Sequence, residues 1–112
     1  MVTNEEFRQM ALSLSDTVEL PHFDRASFRV YLPGRQAGKR IFATLSEKDN
    51  IAVLMLSPLQ QSVFCAFDKT IIYPVAGGWG LKGATVFELG KMKKRMMKDT
   101  LKVVYDEIKA KH

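Results

Sequence analysis

Eight consecutive residues, Ala76-Gly77-Gly78-Trp79-Gly80-Leu81-Lys82-Gly83, hold four of the chain's seven glycines and its only tryptophan. Glycine reaches backbone conformations closed to residues with a Cβ, so this run is a shaped turn, not the interior of a strand or helix. Two roles are open to Trp79: closing the core where two strands turn, or standing out for a partner. Lys82 would add a charge to a displayed ring. The run is not a phosphate-binding loop. It lacks the terminal Gly-Lys-Ser/Thr, and it joins two expected strands rather than a strand and a helix.

Around this turn the periodicities are plain. Thr3 with Glu6 reads as a capping box. Phe7, Met10, Ala11 and Leu14 follow at helical spacing, and Ser13, Ser15 and Asp16 end that helix. Residues 17–25 read as a connector containing Pro21, His22 and Phe23. Residues 26–31, 39–46 and 51–56 read as strands of an antiparallel meander, with Pro33-Gly34 and a polar hairpin tip from Arg35 to Gly38 between the first two. Ser57-Pro58 pairs an N-cap with a first-turn proline. The short helix it opens carries Leu59, Val63, Phe64 and Phe67 on its apolar face. Residues 70–75 and 84–89 are strands flanking the glycine–tryptophan turn, with Pro74 marking an end or an edge. After Gly90 a helix is expected from Lys91 to Ala110, with Met92, Met96, Thr100, Val104 and Ile108 along its apolar stripe. The expected order is α-β-β-β-α-β-β-α. It describes one domain over residues 1–112, a two-layer α+β sandwich with a five-stranded antiparallel sheet and helices on one face.

Charge placement narrows the function. The net charge is +5, and residues 91–111 carry eight Lys/Arg against three acids, which is the whole excess. Lys91, Arg95, Lys98 and Lys102 lie along one stripe of the expected helix. Such a stripe is either a solvated helix face or a track for a phosphate backbone. Lysines position a nucleic acid without reading its sequence. Arg35 and Gln36 in the hairpin tip are the only candidates for base contacts. Arg25, Arg29 and His22 make a second basic group. They could hold a phosphate or carboxylate, or else Arg29 pairs with Glu88 and Arg25 with Asp24 or Glu19.

Other chemistries find little footing. His22 has no second ligand at metal-binding spacing. Cys65 sits between Phe64 and Phe67, and no base is near it in sequence. No cofactor, metal or catalytic residue is expected. No apolar run approaches the roughly 20 residues of a membrane span. The start of the chain lacks a basic region followed by an apolar one, and the lone cysteine cannot form an internal disulfide. A cytoplasmic monomer is expected.

Three stretches carry a resemblance: Pro21-His22-Phe23-Asp24-Arg25-Ala26-Ser27-Phe28-Arg29-Val30, Ile41-Phe42-Ala43-Thr44-Leu45, and Gly77-Gly78-Trp79-Gly80-Leu81-Lys82-Gly83-Ala84-Thr85-Val86. In this order, across nearly the whole chain, they resemble the MmcQ/YjbR-like family of small bacterial proteins. The resemblance implies the CyaY-like, or double-wing, α+β fold. Members are commonly labelled DNA-binding. Two positions depart from the family pattern: Asp24 where it often has glycine, and Ala26 where it often has proline. Asp24 weakens the neighbouring Arg25 as an anion ligand. Frataxin shares the fold, but its iron site uses a dense acidic helix, and the first helix here has only Glu5 and Glu6. Iron binding is therefore not carried over. Two functions of different kinds are expected. The first is DNA binding through the basic last helix. The alternative is a small-ligand or protein-interaction module around Trp79, Lys82, Arg25 and Arg29, with His22 nearby.

Overall fold

A computed structural model describes residues 1–32 and 39–111; the hairpin tip with Arg35 and Gln36 lies outside them, as does His112. The capping box forms as expected. The Glu6 amide donates to Thr3 Oγ1 at 3.1 Å, and the Thr3 amide donates to Glu6 Oε1 at 3.0 Å. It opens α1 (Asn4–Leu12). There follow β1 (Thr17–His22), β2 (Arg25–Tyr31), β3 (Lys39–Ser46), β4 (Ile51–Met55), α2 (Pro58–Cys65), β5 (Ile72–Pro74), α3 (Gly78–Leu81), β6 (Ala84–Glu88), a 3-10 turn (Leu89–Lys91) and α4 (Lys94–Lys111). The class is α+β, as expected. The sheet has six strands rather than five, ordered β1-β2-β3-β4-β6-β5 and antiparallel throughout.

The extra strand is β1, where the sequence reads as a connector. Pro21 conceals it. The Tyr31 amide donates to the Asp16 carbonyl at 2.8 Å, which turns the backbone of residues 16, 18, 20 and 22 toward β2. Thr17, Glu19 and Pro21 therefore face the open edge, where a missing N–H breaks no ladder bond. The opposite edge repeats the device. The Val75 amide bonds Ala84 O, and the Glu88 amide bonds Ile71 O, each at 2.9 Å, so Pro74 faces outward on β5. A proline at an outward position on each edge hinders pairing with another sheet.

The register assigns the two faces. Phe28, Ala43, Leu54 and Thr85 stand in one row across β2, β3, β4 and β6. The helices meet this side. Phe7 of α1 packs edge-on against Phe28 with ring centroids 5.5 Å apart, Tyr105 of α4 packs against Phe42 at 6.2 Å, and Gln61 of α2 donates to Thr85 Oγ1 at 3.1 Å. Phe7, Phe28, Phe42, Leu54, Phe87, Met97 and Leu101 are fully buried between the layers. Ser27, Thr44, Val53 and Val86 form the neighbouring row on the far face. Val53 and Ala84 are buried there without joining the cluster packed by the helices.

Two ionic ties orient α1. Arg8 Nε donates to Glu19 Oε1 and Nη2 to Glu47 Oε1, both at 2.8 Å, joining α1 to β1 and to the β3–β4 turn. The Lys94 ammonium pairs with the Glu6 carboxylate and joins α1 to α4. That bond, with the Thr3 amide second, holds the Glu6 carboxyl down to about 2 from the usual 4.5. A depressed carboxyl stabilises the fold at pH above its unfolded value and loses that contribution as pH falls through its folded value. The urea midpoint is therefore expected to decline between pH 4.5 and about 2. Glu6→Gln should flatten that part of the profile, and an unchanged profile would remove Glu6 from the acid response.

Candidate nucleic-acid interface

The long helix starts later than its periodicity suggests. Leu89–Lys91 close a 3-10 turn, and Met92 follows in extended conformation with its side chain buried. α4 begins at Lys94. Gly90 and the anchoring of Met92 in the core explain the delay. Lys91 thereby leaves the expected stripe and pairs with Glu88 at 3.1 Å. Arg95, Lys98 and Lys102 do share one exposed face, at offsets of three and four. Lys102 is engaged by Asp106 at 2.8 Å. The buried face is made by Met97, Thr100, Leu101, Val104, Tyr105 and Ile108, and Met96 of the expected stripe is only half-buried.

The beginning of α4 is electrostatically unusual. Lys93 precedes it, and a lysine side chain has donors only, so it cannot accept a capping bond. The first turn contains Lys94 and Arg95 and no acid, whereas the first turn of α1 contains Glu5 and Glu6. A helix N-terminus is already positive, and each cation there costs about 0.3–1 kcal/mol. Glu6 compensates Lys94. Among the described residues Lys93, Arg95 and Lys98 have no ion-pair partner. Three cations therefore stand near unbonded first-turn amides, an arrangement that favours an anion. Lys93 is not part of the stripe expected from the sequence, because a helix drawn back to Lys91 places it on another side. The absence of any N-cap residue before Lys94 is the signal that could have found it.

The second basic group is partly assembled. His22, Arg25 and Arg29 project on the far face of the sheet, since Leu20 and Ser27 are cross-strand partners there and side chains alternate. Arg29 does not pair with Glu88. Its Nε donates to Ser27 Oγ at 3.0 Å, and Glu88 is taken by Tyr73 Oη at 2.6 Å and by Lys91. Tyr73 and Lys91 together hold the Glu88 carboxyl below the usual range. Arg25 Nε lies 3.7 Å from Asp24 Oδ1, which is one of the pairings weighed for it.

Trp79 is displayed. Its residue is 69% exposed, and Lys82 Nζ lies 5.3 Å from the ring centroid. The glycine-rich run is not only a turn: Gly78–Leu81 close one helical turn, α3. The ligand site expected around Trp79, Lys82, Arg25 and Arg29 is divided. Ala84, next after the turn, pairs with Met55, whereas Arg25 lies one step beyond the Ala26–Leu45 pair, at the Ser46–Ile51 end of the sheet. Trp79 and Arg25 therefore occupy opposite ends.

Of the expected apolar face of α2, only Phe64 turns to the core. Leu59, Val63 and Phe67 are exposed, and Phe64 and Cys65 face the core. Gln61 sets this rotation by donating through Nε2 to Gly80 O at 2.9 Å and to Ala84 O at 3.2 Å. Ser57 caps α2 as expected, and its hydroxyl donates to Glu107 of α4 at 2.9 Å. Burial pushes the Cys65 thiol up, away from the reactive thiolate. Among the described residues no group of three His, Cys, Asp or Glu could hold a metal ion, and no helix is long and apolar enough to cross a membrane.

No family model and no curated protein matches the chain. Its structure is similar to the crystal structure of Deinococcus radiodurans protein DR2400, a DUF419 domain, with a TM-score of 0.72 over 94% of this chain and 77% of that one. The fold is similar to that of a DUF419 domain. Sequence identity between the two is 17%, so the likeness concerns fold alone.

Proposed function

We propose that this chain is a non-enzymatic, cytoplasmic bacterial protein of the MmcQ/YjbR-like family that binds nucleic-acid phosphates through the start of α4. The observation that carries this reading is the set of uncompensated cations at the positive end of that helix. Lys93, Arg95 and Lys98 would contact phosphates, with Lys102 one turn further along the same face as Lys98. Each contact releases condensed counterions, which supplies affinity without sequence preference. Arg35 remains a candidate contact from the hairpin tip. Fluorescence anisotropy with labelled oligonucleotides tests the reading at low salt. Arg95→Glu with Lys98→Glu should weaken binding to all sequences alike.

The exposed Trp79 favours a second reading, a protein-interaction site at the opposite end of the sheet. Trp79 and Leu81, the latter 83% exposed, offer apolar surface, and Lys82 supplies the only charge in α3 and its cap. The chemistry fits an apolar peptide segment flanked by carboxylates. The displayed ring carries its own prediction. Trp79→Ala should shift stability by no more than about 0.5 kcal/mol, as for a surface position. A loss of about 3 kcal/mol or more, as for a core aromatic, would show that the ring closes the core after all.

A further inference from the structure

Phe23 is the most exposed large apolar residue of the described chain, at 94%. It is also one of three residues other than glycine with positive φ, at 58°. With Asp24 it makes the two-residue turn between β1 and β2. Such turns favour Asn or Gly at this conformation, and a bulky residue there is strained. Among the described residues its ring stacks with one other ring, edge-on with His22, at 4.8 Å between centroids. The fold gains little from phenylalanine here.

Beside the ring lies a cleft of about 500 Å³. Leu20, Pro21 and Ala26 supply apolar wall, and Arg25 and Lys48 supply cations. The carboxylates in the lining are already engaged: Glu19 and Glu47 bond Arg8, and Asp24 faces Arg25. Lys48 has no ion-pair partner among the described residues. This cleft opens at the end of the sheet where α4 begins. The β3–β4 turn that carries Lys48 accepts the Leu89 amide on Asn50 O at 3.2 Å, just before the link into α4.

We propose that the nucleic acid taken by this protein is single-stranded, with a base stacked on Phe23 and seated in the adjoining cleft while the phosphates run past Lys48 toward Arg95. This rests on the phosphate-binding reading above. Phosphate contacts alone cannot tell a single strand from a duplex. A protruding ring can, because an unpaired base offers its face freely, whereas a duplex must first be unstacked to admit the ring.

The test titrates wild-type protein, Phe23→Ala, Phe23→Tyr and Arg95→Glu/Lys98→Glu with a labelled oligothymidylate and with a duplex, at low salt. Circular dichroism confirms that each variant is folded. Wild type should bind the single strand more tightly than the duplex. Phe23→Ala should weaken single-strand binding about 5- to 150-fold, the worth of one stacked base. Its duplex binding should be unchanged, and Phe23→Tyr should retain the preference. The double reversal should weaken both. If Phe23→Ala binds the single strand as wild type does, or if wild type prefers the duplex, the stacking inference is overturned and the phosphate reading stands. If wild type binds neither strand, both are overturned.

Discussion

Arg95→Glu is expected to make the protein more stable and, at the same time, to abolish most of its affinity for nucleic acid. The substitution replaces a cation at the positive end of α4 by an anion. A cation there costs, and an anion gains, about 0.3–1 kcal/mol each, so the net gain is on the order of 1 kcal/mol. Arg95 is exposed and has no ion pair among the described residues, so little is lost on its removal. The urea midpoint should rise while single-strand and duplex affinity both fall. The two effects in one variant separate a functional cation from an ordinary surface residue. If Arg95→Glu destabilises the fold, the helix-end electrostatics are wrong. If it stabilises without loss of binding, the helix start is not the interface.

Gly80→Ala and Gly83→Ala are expected to be among the most damaging single substitutions in the chain. A Cβ on Gly80 would stand 1.8 Å from Val75 O, and one on Gly83 would stand 1.7 Å from Leu56 O. Both neighbours are backbone and cannot swing aside. Gly83 also has φ +117°, a conformation that alanine avoids. The Leu56 amide bonds Gly83 O at 3.2 Å and the Val75 amide bonds Ala84 O at 2.9 Å, so each clash falls beside a sheet bond that holds the end of β4 or β5. A loss of about 4 kcal/mol or more is expected for each, enough to unfold many domains of this size. Gly78→Ala is the control. Its Cβ meets nothing within 4 Å, and its φ is ordinary. It should leave the thermal midpoint within a few degrees of wild type. If all three variants melt alike, close packing of the glycine run is not what shapes it.

What could be read in the residues follows from how local each signal is. Thr3 with Glu6 and Ser57 with Pro58 mark helix starts because capping needs only neighbouring groups, and both caps form as expected. The first two meander strands are legible from alternation and the third, Ile51 to Leu56, from its nearly continuous apolar run. β1 is not, because Pro21 looks like an interruption until the sheet register turns it outward. The same limit applies to α2. Periodicity finds the face Leu59, Val63, Phe64 and Phe67 but not that Phe64 alone of the four meets the core, and three hydrogen bonds from Gln61 decide that instead. The two roles of Trp79 have identical composition and spacing, so only the packing of Gly80 and Gly83 separates them. Of the candidate interface, Arg95, Lys98 and Lys102 were legible from helical spacing. The 3-10 turn that pairs Lys91 with Glu88 depends on Met92 being anchored in the core, and the exposure of Phe23 depends on the strand pairing around it, so neither is read from local spacing. Arg25 and Trp79 looked like one site because both belong to resembling stretches, and the sheet places them at opposite ends.

The binding of a labelled oligonucleotide, titrated between 20 mM and 300 mM salt, tests the central claim most directly (both concentrations roughly chosen to span the steep range of phosphate binding). With about four phosphates neutralised by Lys93, Arg95, Lys98 and Lys102, log K should fall against log salt with a slope near −3, and Arg95→Glu/Lys98→Glu should bring it close to −1. Absence of binding at the lowest salt, or affinity that does not change with salt, would contradict a phosphate-binding role for α4.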